Sequence, residues 1–248
     1  MSQAGSEIRY IQNAATQELT NFARGQAPGP EVSLVTRVKY NPNLYESRFS
    51  AVTELISNIT MLALFLTGAA VIRELEHGTI EHLLVMPLRP VEIMLAKVWA
   101  TALVVATAAT ISLLVVVRWV LDVPTNGSVP LFVFGELIYL FAVTSLGILL
   151  ATLARSMPQF ALLGMSVYLV MALLSGGTTP LDSMPESLQK AVQFSPTTHF
   201  VSFAQAILFR GAGLDVVWRD FAAVAAIGVV LFTLALARFR RTVTEAGS

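Results

Sequence analysis

Five long stretches without a charged residue constrain the fold of this chain more than any other feature. They run over residues 55–72, 98–117, 137–154, 160–174 and 221–237. A helix needs roughly 20 apolar residues to cross a hydrocarbon core of ~30 Å. Only 13% of the 248 residues are charged, about half the usual ~25% of soluble domains. The sequence therefore predicts an integral membrane protein built from helices.

Extending each stretch to its nearest polar boundary predicts five membrane spans. The whole set forms an all-α, polytopic helix bundle over residues 51–241, and a short cytoplasmic tail follows at 242–248. The fourth and fifth stretches are the shortest. The predicted spans are residues 53–72, 97–118, 131–154, 157–175 and 220–238.

The segment between the last two spans, 176–212, has a different pattern. It contains paired glycines, three prolines and one apolar run, 200–209, which is too short to span a bilayer. Irregular backbone at membrane depth is tolerated only where protein or a cavity surrounds it. The sequence predicts a re-entrant hairpin that dips into the outer face of the membrane.

The first 50 residues lack a span. Apolar residues at helical spacing over 7–24 predict an amphipathic helix, and alternation over 32–40 predicts a strand. One helix and one strand cannot bury a core alone. We therefore expect residues 1–50 to be the C-terminal remnant of an extracytoplasmic α/β domain. We also expect the chain to be truncated at its N-terminus.

Charge placement predicts the orientation. With the N-terminal segment outside, seven Lys and Arg residues fall in the inner segments 73–97, 155–158 and 238–248, and four fall in the outer loops. Cytoplasmic segments near span ends carry such an excess. We expect a multi-pass membrane protein with its N-terminal segment outside and its C-terminus in the cytoplasm.

Several chemistries are not indicated by the sequence. A net charge of zero argues against a nucleic-acid-binding chain, and there is no cysteine to bind a metal. No glycine-rich loop ending in Gly-Lys is present, so the chain is not expected to hydrolyse ATP. His77 and His82 are five residues apart, so they do not share one helix face as a metal-binding pair would. We expect no enzyme activity, metal or cofactor on this chain.

The stretch 74–87, at the inner end of the first predicted span, is the most informative. Gly78 interrupts the helix, Thr79 can cap a new one, and Pro87 prevents its continuation. The apolar residues between them predict a short amphipathic helix that lies across the cytoplasmic mouth. Such a helix either binds a partner or serves as an interfacial connector held by lipid headgroups.

This stretch resembles the ABC-2 type permease family of ATP-binding-cassette exporters, especially its multidrug-efflux-like bacterial branch. The family carries Glu-x-Glu-x-Gly-Thr followed by Leu-Leu-x-x-Pro here, matched by Glu74, Glu76, Gly78, Thr79, Leu83, Leu84 and Pro87. Further matches lie at 154–159, 175–180 and 195–200, so the resemblance covers about 7–241. Leu75 departs from the family, which often has a basic residue there.

The resemblance implies a transmembrane permease subunit of the bacterial inner membrane, whose coupling helix docks into a separate ATP-binding subunit. That partner would hold ATP and Mg²⁺, and a second permease subunit would complete the path in the lipid bilayer. The family has six spans, so one span and most of an outer domain are missing here. The implied coupling residues are Glu74, Glu76, His77, Gly78, Thr79, Glu81, His82, Leu83, Leu84 and Pro87.

Among the charged residues in or near the predicted spans, three are singled out: Glu54, Glu136 and Arg118. A charge at the centre of a membrane helix costs about 2.5–3.5 kcal/mol on insertion scales, and less near the ends. These residues are candidates for the lining of an outward cavity or for contact with a cationic substrate. The alternatives are a salt bridge, for instance with Arg118, or simple exposure at the interface.

Two further classes compete with a permease. A non-transporting regulatory or assembly subunit, or a truncated remnant, would share the spans but move no substrate. An intramembrane enzyme is disfavoured because no nucleophile, base or metal set clusters along the chain. The coupling segment and the family resemblance favour the interpretation as a permease.

Overall fold

The computed structural model describes residues 46–76, 89–120, 127–154, 156–177, 179, 181 and 184–246, all within the compact unit Tyr45–Ser248. The predicted helix and strand of the first 45 residues lie outside this part. The described helices are α1 (Glu46–Glu76), α2 (Pro90–Ile111), α3 (Val129–Leu153), α4 (Met157–Leu173), α5 (Glu186–Val192), α6 (Pro196–Arg210) and α7 (Leu214–Ala246).

Four of these helices are long and apolar enough to cross a membrane: Val52–Glu76, Pro90–Val120, Val129–Leu153 and Leu214–Arg240. The fourth predicted span corresponds to α4, which has only 17 residues. The described part of the chain is helical and contains no strand. The predicted class, a helical membrane bundle, is confirmed.

The central helix of the bundle is α3. It contacts α1, α2, α4, α6 and α7, and its apolar stretch is the most buried of the four long helices, whereas that of α7 is the least buried. A helix that is apolar on all sides is stable only where other helices or lipid surround it. The core of the bundle is therefore formed around α3, while α7 and α2 keep wide apolar faces outside it.

Glycines let α1 and α3 approach closely. A methyl group added at Gly147 would lie 2.7 Å from the carbonyl oxygen of Leu64, and one at Gly68 would lie 3.0 Å from the carbonyl oxygen of Gly147. Small residues at such crossings allow backbones to pack without side chains between them. The α1–α3 contact therefore depends on the missing side chains.

The second long helix changes its winding near its end. Pro90 lies in the first turn, and the backbone N–H of Arg89 donates to Oε2 of Glu92 at 2.9 Å, which caps the start. Its last nine residues, Ser112–Val120, form a π-helix. π-helical segments are rare and usually only one turn long, and they often mark functional positions.

Within the predicted hairpin 176–212, α6 is the main element. Ten of its residues are buried, and the helix contacts α1, α3, α4 and α7. Gly211 ends it in the left-handed conformation with φ of 65°, which glycine adopts without strain. The apolar run 200–209 thus belongs to a helix that packs inside the bundle. Re-entry into a membrane stays a prediction.

Candidate functional site

The inner end of α1, as predicted from charge placement, is tied to α2 by an ion pair. Nζ of Lys97 donates to Oε1 of Glu74, and both side chains are largely buried, with 16% and 29% exposure. A partly buried pair of this kind is screened less by solvent than a surface pair. Glu74 therefore joins the two helices at the start of the predicted coupling segment.

The next carboxylate, two residues on, contacts a third helix. Oε1 of Glu76 accepts a hydrogen bond from the backbone N–H of Met157 at 2.7 Å. This N–H is one of the unpaired donors at the start of α4, and Ser156 at the N-cap position makes no side-chain capping bond. A carboxylate there also interacts favourably with the helix dipole. Glu76 thus supplies the cap of α4 from another helix.

Most of the predicted coupling set lies outside the described residues. This applies to the turn, to the short amphipathic helix and to its terminating proline, and no structural role is assigned to them. Glu74 and Glu76 are the two members that the structure describes. The members outside it are His77, Gly78, Thr79, Glu81, His82, Leu83, Leu84 and Pro87.

The opposite half of α1 lines a groove together with α2 and its π-helical end. The cavity has a volume of about 490 Å³. Glu54 and Asn58 of α1 and Ser112 of the π-helix are its polar lining residues. The remaining lining side chains are apolar: Leu55, Ile59, Leu62, Val105, Ala108, Ala109, Val116 and Val117.

The other two charged candidates occupy different environments. Glu136 in α3 is 0% exposed, and neither carboxylate oxygen has a hydrogen-bond partner among the described residues. Arg118 is exposed near the end of the π-helix. The lining of the groove includes Glu54 but not Glu136 or Arg118. The three residues therefore do not form one cluster.

A buried chain of hydroxyls connects α1, α3 and α6. The Thr60 hydroxyl donates to the carbonyl of Ile56 at 2.9 Å and lies 2.7 Å from the Tyr139 hydroxyl. Tyr139 in turn lies 3.2 Å from the Thr197 hydroxyl. Since each hydroxyl has one proton, Tyr139 donates to Thr60 and accepts from Thr197. Periodicity alone did not predict this network, although Thr197 lies in a segment that matches the family.

An ionic cluster lies where α5, α6 and α7 meet. Nδ1 of His199 lies 2.8 Å from Oδ1 of Asp220, and Nε2 lies 2.9 Å from the carbonyl oxygen of Gln193. Ser202 donates to the other Asp220 oxygen at 3.1 Å. Both His199 partners accept, so both ring nitrogens donate and the imidazole is protonated.

The hydrogen bond to Asp220 raises the pKa of His199. Burial acts in the opposite direction, and the bond to the Gln193 carbonyl adds to the increase. Opposite charge and hydrogen bonding to the charged form both favour protonation. His199 therefore keeps its positive charge, and with it both bonds, to a higher pH than a free histidine.

Metal chemistry has no visible basis in the described part of the chain. There, no group of three His, Asp or Glu residues lies close enough to hold a metal ion. The prediction of a chain without a resident metal or cofactor stays a prediction.

Residues 2–237 match the family described as ABC-2 family transporter protein. Because this match covers nearly the entire chain, the chain belongs to the ABC-2 family of transporter proteins. The family prediction made from the sequence is confirmed, and the bundle around α3 is a membrane bundle of this family.

Individual relatives agree with the family. The chain is 52% identical over 245 residues to the inner membrane transport permease YhhJ of Escherichia coli strain K12, covering 98% of the chain and 66% of that relative. It is 33% identical over 236 residues to the probable multidrug ABC transporter permease YbhR of the same strain, covering 94% and 63%. A second such permease, YbhS, is 28% identical over 227 residues, covering 84% and 60%. The chain spans just under two thirds of the length of these relatives.

Proposed function

We propose that this chain supplies the membrane path of an ATP-binding-cassette exporter as its permease subunit. Family membership and permease-named relatives support this function. The long apolar helices suit a multi-pass protein of the inner membrane, with the N-terminal segment outside and the C-terminus in the cytoplasm. Transport, not an enzymatic reaction, is the activity that this proposal assigns to the chain.

The partners follow from the same proposal. A separate ATP-binding subunit hydrolyses ATP with Mg²⁺, and this chain binds neither. A second permease subunit, either a second copy or a related chain, faces it across the path. Two of the relatives are named as multidrug transporter permeases, so we include amphipathic compounds among the substrates.

The observation that carries this proposal is the tied end of α1. Glu74 binds Lys97 of α2, and Glu76 caps α4 through Met157. Both contacts are made by residues at the start of the predicted coupling segment, residues 74–87. A force applied to that segment would therefore reach three helices through short polar contacts instead of one helix alone.

This geometry suits alternating access. ATP-bound partners can shift the equilibrium between two permease states only if they contact those states differently. Because the carboxylates connect the end of α1 to α2 and α4, displacement of the coupling segment displaces all three helix ends together. The two permease states would then differ in the positions of the connected ends of α1, α2 and α4.

The test is reconstitution with the ATP-binding subunit that co-purifies with this chain. In wild type, we expect ATP hydrolysis and substrate movement to rise together. Glu76→Gln, which keeps the shape but removes the charged cap of α4, should retain hydrolysis and lose about tenfold in transport per ATP. A bulky residue in place of Gly78 should have the same uncoupling effect.

Glu186→Gln is the matched control, because Glu186 is an exposed carboxylate in the first turn of α5. It should transport like wild type. Unchanged transport in Glu76→Gln and in the Gly78 variant would contradict the coupling role. Failure to recover any ATP-binding subunit would instead favour a non-transporting regulatory or assembly subunit.

A further inference from the structure

The two charged ends of α1 lie at opposite surfaces of the membrane. Glu74 pairs with Lys97 of α2. Twenty residues away in each helix, Glu54 and Val117 line the same groove, so the two helices run antiparallel. Twenty residues of α-helix span about 30 Å, which matches the hydrocarbon thickness of a bilayer. Glu54 therefore lies at the membrane surface opposite the tied end.

The groove has one polar end and one apolar end. Its polar residues, Glu54, Asn58 and Ser112, lie toward that membrane surface. Leu62 lies eight residues further along α1 than Glu54, about 12 Å deeper, and lines the groove together with Val105 of α2. The groove thus extends from a carboxylate at the interface toward the middle of the membrane.

Glu54 is the one charged side chain in this lining. It is exposed, and among the described residues it makes no hydrogen bond or ion pair. A negative charge at the mouth of an apolar groove attracts a positive charge, and more strongly where part of the surrounding medium is apolar.

The π-helix contributes to the shape of this groove. Ser112, Val116 and Val117 lie on it at spacings of four and five residues and line the same side. A π-helix turns more widely than an α-helix, so residues at this spacing remain on one face. The feature that is rarest in the backbone therefore coincides with the groove.

We propose that this groove binds an amphipathic cation, with the positive head at Glu54 and the apolar body between α1 and α2. The proposal deepens the proposed function, because it gives the transport path an entry site that discriminates by charge. The groove is complementary to both parts of such a ligand: the carboxylate of Glu54 attracts the cationic head, and aliphatic side chains contact the apolar tail.

The test is equilibrium binding of radiolabelled decyltrimethylammonium to the full chain in phosphatidylcholine nanodiscs, with empty nanodiscs subtracted. No ATP and no ATP-binding subunit are added. Wild type should bind the probe saturably, and excess unlabelled probe should displace it. Decanol, which has the same chain length and no charge, should compete at least about fivefold less well, since it gains no Coulomb attraction.

Two variants separate the head from the tail. Glu54→Gln should weaken binding of the cation at least about fivefold and remove its advantage over decanol. Ala108→Leu adds a side chain inside the groove and should weaken binding of both probes about tenfold through steric overlap. Ala108 is exposed, so the larger residue does not disturb the core.

The controls are matched by residue type. Ala100→Leu enlarges an exposed alanine of the same helix that does not line the groove, and Glu186→Gln removes an exposed carboxylate elsewhere. Both should bind like wild type.

Three results would overturn the proposal. The first is absence of saturable binding in wild type. The second is equal competition by decanol and the cation, which would identify a neutral apolar occupant such as a lipid tail. The third is wild-type binding in Ala108→Leu, which would place the site elsewhere. ATP-coupled transport that persists despite any of these results would leave the proposed function standing and overturn only this site.

Discussion

The two ends of α1 carry the same chemical group in opposite situations. At one end, Glu74 and Glu76 are both engaged, one by Lys97 and one by the backbone of α4. At the other end, Glu54 lies exposed at a groove and pairs with no described residue. A carboxylate that contacts another helix holds helices together, whereas an unpaired one at a cavity is available to a ligand. The surroundings of a carboxylate, not its identity, decide its role.

The largest expected loss of stability comes from separating α1 from α3, because this contact holds α1 in the bundle. Gly147→Val would place a side chain against the backbone of Leu64. Overpacking of this kind typically costs about 1–3 kcal/mol, and rigid backbone on the far side puts the cost at or above about 3 kcal/mol. The apparent melting temperature in detergent should fall by several degrees.

Ala161→Val provides the control for that experiment, because Ala161 is exposed on α4. It should melt like wild type. A Gly147→Val protein with an unchanged melting temperature would show that α1 and α3 do not approach closely.

Breaking the tied end should have a smaller effect. Lys97→Met removes the partner of Glu74, whose other carboxylate oxygen is already buried without a hydrogen bond among the described residues. Leaving this charge unpaired in a partly buried position should destabilise the protein by about 1–2 kcal/mol, between the values for exposed and fully buried pairs.

A double-mutant cycle tests that explanation. Adding Glu74→Gln to Lys97→Met removes the stranded charge and should recover about half of the loss in thermal stability. If the two losses simply add, the ion pair does not contribute to the tied end.

The ionic cluster at α5, α6 and α7 predicts a pH dependence. The pKa of His199 is raised in the folded protein, so its stabilisation is complete below the unfolded value of about 6.5. It is lost as the pH rises through the folded pKa. Wild type should therefore lose thermal stability over this range.

Asp220→Asn identifies the source of that slope. The variant keeps the size of the side chain and removes the negative charge that raises the pKa of His199. Its melting temperature should depend less on pH than that of wild type above about 6.5. An identical slope in both proteins would assign the pH dependence to another group.

The smallest expected effect on stability is that of Glu54→Gln, and it distinguishes the two ends of α1 most directly. Glu54→Gln should leave the melting temperature unchanged, because no described contact is lost and the side chain is exposed. The measurement is the same thermal melt used for Lys97→Met. A clear loss of stability would show that Glu54 also holds the structure together, as the carboxylates of the tied end do.

Much of the fold could be predicted because lipid imposes a simple rule. Uncharged stretches long enough to cross a bilayer must form helices to satisfy their backbone, and α1, α2, α3 and α7 follow from four such stretches. Boundaries were less predictable: α2 begins seven residues before the predicted span, at Pro90. The first turn of α2 contains Glu92 and lies outside the apolar run. Charge alone does not end a helix, so the helix starts earlier than the apolar run does.

The site divides in the same way. Glu54, Glu74 and Glu76 could be selected from the sequence because charges beside long apolar runs are few. Their partners could not be predicted, since Lys97 and Met157 lie 23 and 81 residues further along the chain. The groove and the π-helix gave no periodic signal, because an apolar lining looks the same in sequence as an apolar face toward lipid.

The sequence by itself determined that this protein is a helical membrane bundle of the ABC-2 family, because hydrophobic length and a local motif are properties of contiguous residues. Only the tertiary structure decided which carboxylate is engaged and which is open. It also brought Thr60, Tyr139 and Thr197 together in one buried chain. Those outcomes depend on how helices distant in sequence pack against α3, and packing is set by the shapes of all the neighbours at once.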